Sequence, residues 1–285
     1  MIGRKPDLVC IGAQKAATSW LYRVCQARSD IWVPPFKEVH FFDYKFCPEN
    51  RSWIRAGLVR GVDAAIRRHT KNQPEQDPDY IAYLDRLITQ PTHNGTWYKA
   101  VFSRAPARQL CLDVTPEYST LPEDGVDFLA KFLREARFLY ILRDPVARAL
   151  SQLRMNLSRR KITPQSERAW MRHAKDPAIL NRGDYKTYIP RWDAQFDDRR
   201  LLYLPYGQIG ADPEGVMREI ERFAGLERED PWGLRRKVHV SEPMDVPEAV
   251  TAHFQEVFAP QYAFLRARFD ASFTAQLGTS PSQTP

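Results

Sequence analysis

Short apolar runs separated by amphipathic stretches set out the plan of this chain. The runs at 8–11, 109–113, 138–142 and 201–204 are mostly apolar and short, which is typical of buried strands. Between them, apolar positions recur every three or four residues, and this spacing predicts helices at about 18–28, 53–69, 78–89, 146–159, 212–223 and 247–269. Strands that alternate with helices indicate an α/β fold with a central, mostly parallel sheet flanked by helices.

We predict a single domain over most of the chain. A length of 285 residues is enough for one large α/β domain with a substantial core. We assign residues 1–275 to this domain and residues 276–285, where Ser, Thr, Gln and Pro predominate, to a disordered C-terminal tail.

The net charge is +7, from 42 Lys and Arg against 35 Asp and Glu. Two interpretations stay open: a solvated basic surface, or a field that attracts an anionic ligand. Nucleic acid is not expected as a partner, because the chain has no basic stripe interleaved with aromatic residues. The sequence does not indicate the oligomeric state.

The cysteine and hydropathy patterns predict a cytoplasmic protein. Cys10 and Cys111 lie inside predicted strands, so reduced core residues are favoured over disulfides. No apolar stretch approaches the length of a membrane span, and no leader pattern follows Met1. No cluster of His, Cys and carboxylate residues has metal-ligand spacing, so we expect no metal.

The loop after the first predicted strand has the chemistry of an anion site. The start of a helix near Thr18 points free backbone N–H groups and a positive dipole at this loop. Lys15 adds a charge, and Thr18 and Ser19 add hydroxyl groups. The loop differs from that of nucleotide triphosphatases, because Ala16 stands where the Mg²⁺-binding hydroxyl would follow the lysine. Alternatively, Thr18 and Ser19 only cap a helix.

Two further segments extend the pattern. Lys37-Glu38-Val39-His40-Phe41-Phe42-Asp43 follows the first helix, and Arg143-Asp144-Pro145-Val146-Ala147-Arg148-Ala149-Leu150-Ser151 follows a later strand. With the first loop, they resemble the three signatures of sulfotransferases that use 3′-phosphoadenosine 5′-phosphosulfate (PAPS). The chain is most similar to the branch that contains the heparan sulfate glucosaminyl sulfotransferases and their bacterial relatives. The resemblance covers about 6–269 and includes Thr115-Pro116-Glu117-Tyr118.

The resemblance implies a P-loop-like sulfotransferase fold and a specific reaction. The expected reaction moves the sulfuryl group of PAPS in line to a hydroxyl, less readily an amine, of a carbohydrate or small molecule, releasing PAP. It also implies the residues that bind the nucleotide. The 5′-phosphate is assigned to Gln14, Lys15, Ala16, Ala17, Thr18 and Ser19, and the 3′-phosphate to Arg143, Ser151, Arg235, Arg236 and Lys237.

The second segment supplies the expected catalytic residues. The resemblance assigns Glu38 as the base, with His40 assisting and Lys15 at the bridging oxygen. On an extended backbone Glu38 and His40 would share one face. Asp43 would orient His40 or touch the acceptor, and Asp113 and Tyr118 are further candidates for acceptor contact. Trp53, Tyr80, Tyr83, Trp97 and Tyr98 are aromatic candidates for the acceptor cleft.

Departures from the family pattern keep alternatives open. Ala16 and Ala17 replace the usual glycine, and alanine fits a cradling turn only where φ stays negative. One alternative is therefore a catalytically lapsed PAP- or anion-binding scaffold. Another is a P-loop kinase in which Asp113 imitates a Mg²⁺ ligand. Val114 replaces a lysine of the heparan-modifying members, which argues against a polyanionic acceptor and leaves a neutral carbohydrate or a metabolite hydroxyl.

Overall fold

A five-stranded parallel sheet forms the centre of the computed structural model, which describes residues 3–72, 77–228 and 244–278. The strand order is β2-β3-β1-β4-β5, so β1 lies in the middle. The strands are β1 (Leu8–Gly12), β2 (Ile31–Trp32), β3 (Leu110–Val114), β4 (Arg137–Leu142) and β5 (Leu201–Pro205).

Helices surround this sheet. In the described ranges they are α1 (Thr18–Gln26), α2 (Phe41–Phe46), α3 (Arg51–Asn72), α4 (Pro78–Thr89), α5 (Gly95–Val101), α6 (Glu123–Phe132), α7 (Pro145–Arg160), α8 (Glu167–Ala174), α9 (Pro177–Asn181), α10 (Tyr185–Asp193), α11 (Tyr206–Ala211), α12 (Pro213–Ala224), α13 (Glu248–Arg268) and α14 (Ala271–Ala275). Short 3₁₀ turns form at Pro48–Asn50 and Pro116–Thr120.

The central position of β1 determines where the site forms. All five residues of β1 are buried, because neighbouring strands cover both edges and helices cover the faces. Beyond its end, the Ala13 N–H donates to the Ile141 carbonyl of β4 at 2.7 Å. In parallel sheets, ligands bind outside the carboxyl ends of the strands. The loop after β1, Asp113 of β3 and Arg143 after β4 therefore meet at one edge.

Helix α7 is held firmly beside that edge. Asp144 caps it by accepting from the Ala147 N–H at 2.8 Å, and Pro145 occupies the first helical position, as the sequence predicts. Leu153 and Leu157 on one face join a second apolar cluster with Phe254 and Phe258 of α13. Met155, on another side of α7, meets the loop after β1 through Lys15.

The predicted α/β architecture is confirmed, and two local predictions change. The chain turns into α2 at Phe41, where the sequence predicts extended backbone. At the C-terminus, Gly207 N–H donates to the Gln276 carbonyl, Asp144 N–H donates to the Leu277 carbonyl, and Leu277 is buried. The domain therefore extends past the predicted boundary at 275, while 279–285 lie outside the described residues.

The four cysteines are buried and unpaired, which confirms the prediction of reduced core residues. Across the described ranges, every helix is too short or too polar to cross a bilayer. The same ranges contain no group of three or more His, Cys, Asp or Glu side chains arranged to hold a metal ion.

Candidate active site

The loop between β1 and α1 forms an open cradle of backbone N–H groups. Ala16 N–H donates to the Ala13 carbonyl at 3.1 Å and closes a turn. The N–H groups of Lys15, Ala17, Thr18 and Ser19 have no acceptor among the described residues. Ala17 is the N-cap of α1, and no side chain caps this helix, so Thr18 and Ser19 are not simply a cap. Free N–H groups at a helix start suit an anion.

Two details of this loop correct the sequence prediction. Ala17 adopts φ 59, in the left-handed region, so an alanine forms this turn without the negative φ that the sequence argument required of it. This conformation costs a non-glycine residue about 1–2 kcal/mol. The Ala16 methyl is fully buried and its N–H is already bonded, so Ala16 has no group left for a phosphate.

Lys15 projects from the loop toward α7. Its Nζ lies 3.6 Å from the Met155 sulfur, and none of the described residues offers it a carboxylate. Burial lowers the pKa of Lys15 to about 8, and the nearby charges of Arg143 and Arg159 add to this effect. A cation held without a counter-ion favours binding of an anion.

Arg143 joins the loop to the end of β4. Its Nη1 donates to the Lys15 carbonyl at 2.7 Å, and its guanidinium lies 4.3 Å from the Tyr206 ring centroid. Its Nε is buried without a partner, and burial lowers its pKa. The Tyr185 hydroxyl accepts from the Arg143 N–H and donates to the Arg143 carbonyl, which fixes the backbone.

Ser151 lies one helical turn before Met155, on the same side of α7. Because Lys15 contacts Met155, this side of α7 faces the loop. The structure therefore brings together the loop, Arg143 and the helix side that carries Ser151. Residues Arg235, Arg236 and Lys237 lie outside the described residues.

Glu38, His40 and Asp43 form a continuous chain of contacts. Glu38 Oε2 lies 3.1 Å from His40 Nε2, and His40 Nδ1 lies 2.8 Å from Asp43 Oδ2. The contact does not come from extended backbone: His40 is the N-cap of α2 with φ 54. This left-handed turn directs the imidazole between the two carboxylates.

The pKa values of Glu38 and His40 are shifted by the opposite charges beside them. Burial opposes protonation of His40, but Asp43 and Glu38 outweigh it and raise its pKa above the usual range. Burial likewise opposes ionisation of Glu38, but Lys37 and His40 outweigh it and lower the pKa of Glu38. Both shifts favour a carboxylate at Glu38 beside an imidazolium at His40.

Lys37 is a site residue that the sequence analysis missed. Its Nζ donates to Glu38 Oε1 at 2.8 Å and to Thr18 Oγ1 at 3.2 Å. Lys37 therefore links the loop between β1 and α1 to the contacts among Glu38, His40 and Asp43. Its place directly before Glu38 in the second segment was the available signal.

Asp113 is fully buried and accepts three hydroxyl hydrogen bonds. The donors are Thr115 at 2.6 Å, Tyr98 at 2.8 Å and Tyr118 at 3.2 Å. Burial raises the pKa of Asp113 to about 6, with the hydrogen bonds opposing. Its carboxylate is thus occupied, which contradicts both contact with an acceptor and a role as a Mg²⁺ ligand.

This buried cluster supports the catalytic segment. The Val39 N–H donates to Thr115 Oγ1 at 2.9 Å, and the Phe41 N–H donates to the Tyr118 hydroxyl at 3.0 Å. These bonds hold the backbone on both sides of His40. Tyr118 is fully buried, so it too positions the segment and does not face an acceptor. Asp43 is fully buried as well, and its contact is with His40.

Among the aromatic candidates for the acceptor cleft, Trp53 of α3 is both close to His40 and exposed to solvent. Its ring lies edge-on to His40, with 4.9 Å between centroids, and it is 39% exposed. Tyr83, Trp97 and Tyr98, by contrast, are buried in the core. Tyr80 is half-buried, and its ring packs at a tilt against His69.

Comparison with known proteins adds a family match. A family model described as the sulfotransferase family matches residues 6–230. Heparan sulfate glucosamine 3-O-sulfotransferase 3B1 of Mus musculus is 27% identical over 182 residues, which cover 61% of this chain and 46% of that protein. Heparan sulfate glucosamine 3-O-sulfotransferase 6 of Mus musculus is 23% identical over 137 residues, covering 46% and 40%. The chain thus spans about half the length of these curated relatives.

Solved structures share the fold. A sulfotransferase from Alicyclobacillus acidocaldarius superposes with a TM-score of 0.63 at 20% identity, covering 95% of this chain and 99% of that one. The sulfotransferase domain from the curacin biosynthetic pathway gives 0.55 at 14% identity, covering 91% and 98%.

Proposed function

Because the chain belongs to the sulfotransferase family, we propose that it transfers the sulfuryl group of PAPS to a hydroxyl, less readily an amine, of a carbohydrate or small molecule, releasing PAP. The observation that carries the proposal is the position of Lys37. This one side chain contacts both Thr18 at the anion-type loop and Glu38 of the carboxylate chain. A PAPS phosphate bound at the loop and Glu38 as proton acceptor would then both lie next to the Lys37 side chain.

The nucleotide would occupy the loop and the adjacent strand end. The free N–H groups from Lys15 to Ser19 would hold the 5′-phosphate, and Arg143 with Ser151 would hold the 3′-phosphate. The unpartnered Nε of Arg143 and the carboxylate-free Lys15 support this assignment, because both lack the anion that their chemistry calls for. When bound, PAPS supplies the activated sulfuryl group.

At the acceptor, Glu38 would take the proton of the attacking hydroxyl as the new oxygen–sulfur bond forms. His40, held by Asp43, donates to Glu38 and keeps it oriented. Lys15 would neutralise the phosphate oxygen as its bond to sulfur breaks, which is electrostatic stabilisation of the leaving group. A protonated His40 cannot be the base, so the two residues differ in role.

The test combines binding and transfer. We expect PAP to bind the protein without Mg²⁺, and radiolabelled PAPS to transfer its label to at least one acceptor in a panel of glycans, phenols and lipids. ATP with Mg²⁺ serves as the competing ligand. Tight PAP binding with no transfer across the panel would support the lapsed scaffold. Preference for Mg²⁺–ATP over PAP would support the kinase.

A further inference from the structure

Arg148 is a fully buried arginine that has no carboxylate partner among the residues that the structure describes. Arg148 is a residue of α7 and lies between Arg143 and Ser151 in the sequence. Its exposure is 0%. Nη1 donates to the Gln152 side-chain carbonyl at 2.7 Å, and Nη2 donates to the Ile179 carbonyl at 2.5 Å. Nε is buried with no partner. The two described hydrogen bonds of this guanidinium therefore go to neutral oxygens, and neither partner is a carboxylate.

Arg28 shows how this protein buries a guanidinium for structural purposes. Its side chain is also fully buried, and it bonds to Asp30 at 2.7 Å and to the Glu221 carboxylate. Carboxylates on two sides offset the cost of removing its charge from water. Among the described residues, Arg148 instead donates to a side-chain amide oxygen and a peptide oxygen, which are both neutral. Its positive charge therefore stays largely uncompensated.

The surroundings of Arg148 add positive charge. Burial, together with the neighbouring charges of Arg182 and Arg143, lowers the pKa of Arg148 to about 10. Arg148 in turn contributes to the lowered pKa of Lys15. Tyr185, which interacts electrostatically with Arg148, is the residue that holds the Arg143 backbone by two hydrogen bonds. Ser151, a proposed contact of the 3′-phosphate, follows Arg148 by three residues on α7, so the two residues lie within one turn of the same helix.

We propose that Arg148 is a positioning residue whose buried charge is neutralised only when the phosphates of the nucleotide bind, so that it strengthens their binding without touching them. The proposal rests on the proposed function. Its physical basis is that a charge in the interior is poorly screened, so its field reaches an anion bound nearby. An interior cation is costly to bury, and an anion that arrives at the site offsets that cost.

The alternative is a purely structural role, in which Arg148 only ties α7 to the carbonyl of Ile179. A purely structural role needs the hydrogen bonds of the guanidinium but does not need its positive charge. Replacement by lysine or by methionine removes the same forked hydrogen bonds, but lysine keeps the charge. The two variants therefore separate the field of Arg148 from its role as a tie.

The experiment measures PAP dissociation constants by calorimetry for the wild type, Arg148→Lys and Arg148→Met, at about pH 6.5 so that a buried lysine keeps its proton. Thermal unfolding of each unliganded protein is measured alongside. We expect Arg148→Met to weaken PAP binding about tenfold, the scale of one unit charge acting over ~10 Å at an effective dielectric constant of about 20. Arg148→Lys should stay within about threefold of the wild type, although both variants lose stability.

Arg28→Met is the matched control. It should lower the unfolding temperature, because it removes the buried ion pairs of Arg28 with Asp30 and Glu221, and it should leave PAP affinity unchanged. Equal PAP affinities for folded Arg148→Lys and Arg148→Met would overturn the proposal and assign a structural role. Failure of the wild type to bind PAP would instead refute the proposed function on which the inference rests.

Discussion

The two halves of the candidate site handle charge in opposite ways. Around the loop after β1, Lys15 and Arg143 have no carboxylate within contact among the described residues, and both have lowered pKa values. In the neighbouring segment, His40 lies between the carboxylates of Glu38 and Asp43, and Lys37 neutralises Glu38 further. The first group of cations has no carboxylate partner among the described residues, whereas the second group contains its own carboxylates.

This difference corresponds to two tasks. A cationic cradle without internal partners gains the full attraction of an incoming phosphate, because no existing ion pair must be broken first. A base must keep one orientation and one protonation state before the acceptor arrives, and a closed network of hydrogen bonds provides both. Lys37 is the point where the halves meet.

The largest effect is expected from a change in the segment that contains Glu38, His40 and Asp43. Glu38→Gln removes the proposed proton acceptor and should lower sulfuryl transfer by about 10²–10⁴-fold, the usual contribution of general base catalysis. PAP affinity should remain, because the cradle is untouched. Transfer from radiolabelled PAPS and calorimetry with PAP check the two expectations. Glu49→Gln, at an exposed position, is the control. Retention of wild-type transfer by Glu38→Gln would assign the base elsewhere.

A smaller effect is expected in the cationic half. Lys15→Met should weaken PAP binding roughly 10–100-fold, the scale of a hydrogen bond to a charged group. In the wild type the pKa of Lys15 is about 8, so its charge is present below that pH and is lost as the pH rises through it. PAP affinity should therefore fall above about pH 8, and Lys15→Met should remove this fall.

Calorimetry from about pH 7 to 9.5 measures this dependence. The exposed Lys71→Met variant serves as the charge-matched control and should keep the wild-type profile. An unchanged profile in Lys15→Met would mean that another group binds the 5′-phosphate.

Trp53 tests the acceptor side and should have a moderate effect. Loss of ring contact in Trp53→Ala should raise the KM for the acceptor by roughly 2–10-fold, the range of an aromatic contact. PAP affinity should not change. Trp53→Phe keeps a ring and should recover most of the loss. An unchanged KM in Trp53→Ala would place the acceptor away from α3.

The smallest effect concerns the two alanines of the loop. Ala17 has a left-handed backbone, so Ala17→Gly should raise the free energy of unfolding by up to about 1 kcal/mol, after the greater chain entropy of glycine is subtracted. Ala16 is buried outside the left-handed region, so Ala16→Gly should lower it by about 1 kcal/mol. Denaturant titrations measure both. Equal signs for the two variants would show that backbone conformation at Ala17 does not limit stability.

Local patterns in the sequence determined the architecture and the location of the site. The apolar runs at β1 and β4 and the cap at Asp144 predict their elements, because burial and capping depend on residues adjacent in the chain. The resemblance pointed to Lys15, Glu38, His40 and Arg143, and the fold brings their segments to one edge. The family match supports this interpretation at the level of the sulfotransferase family.

Only the tertiary structure decided what those side chains touch. The sequence places Asp113 near the end of strand β3 and Tyr118 after it, where an acceptor could reach them, but both are fully buried in the fold and Asp113 accepts from Tyr98. Lys37 and Arg148 lie inside the segments that carry the resemblance, but their contacts with Thr18, Glu38 and Ile179 exist only in the folded chain. The physical reason is that a charge's partners, its burial and hence its pKa depend on distances through space, whereas the sequence specifies only separation along the chain.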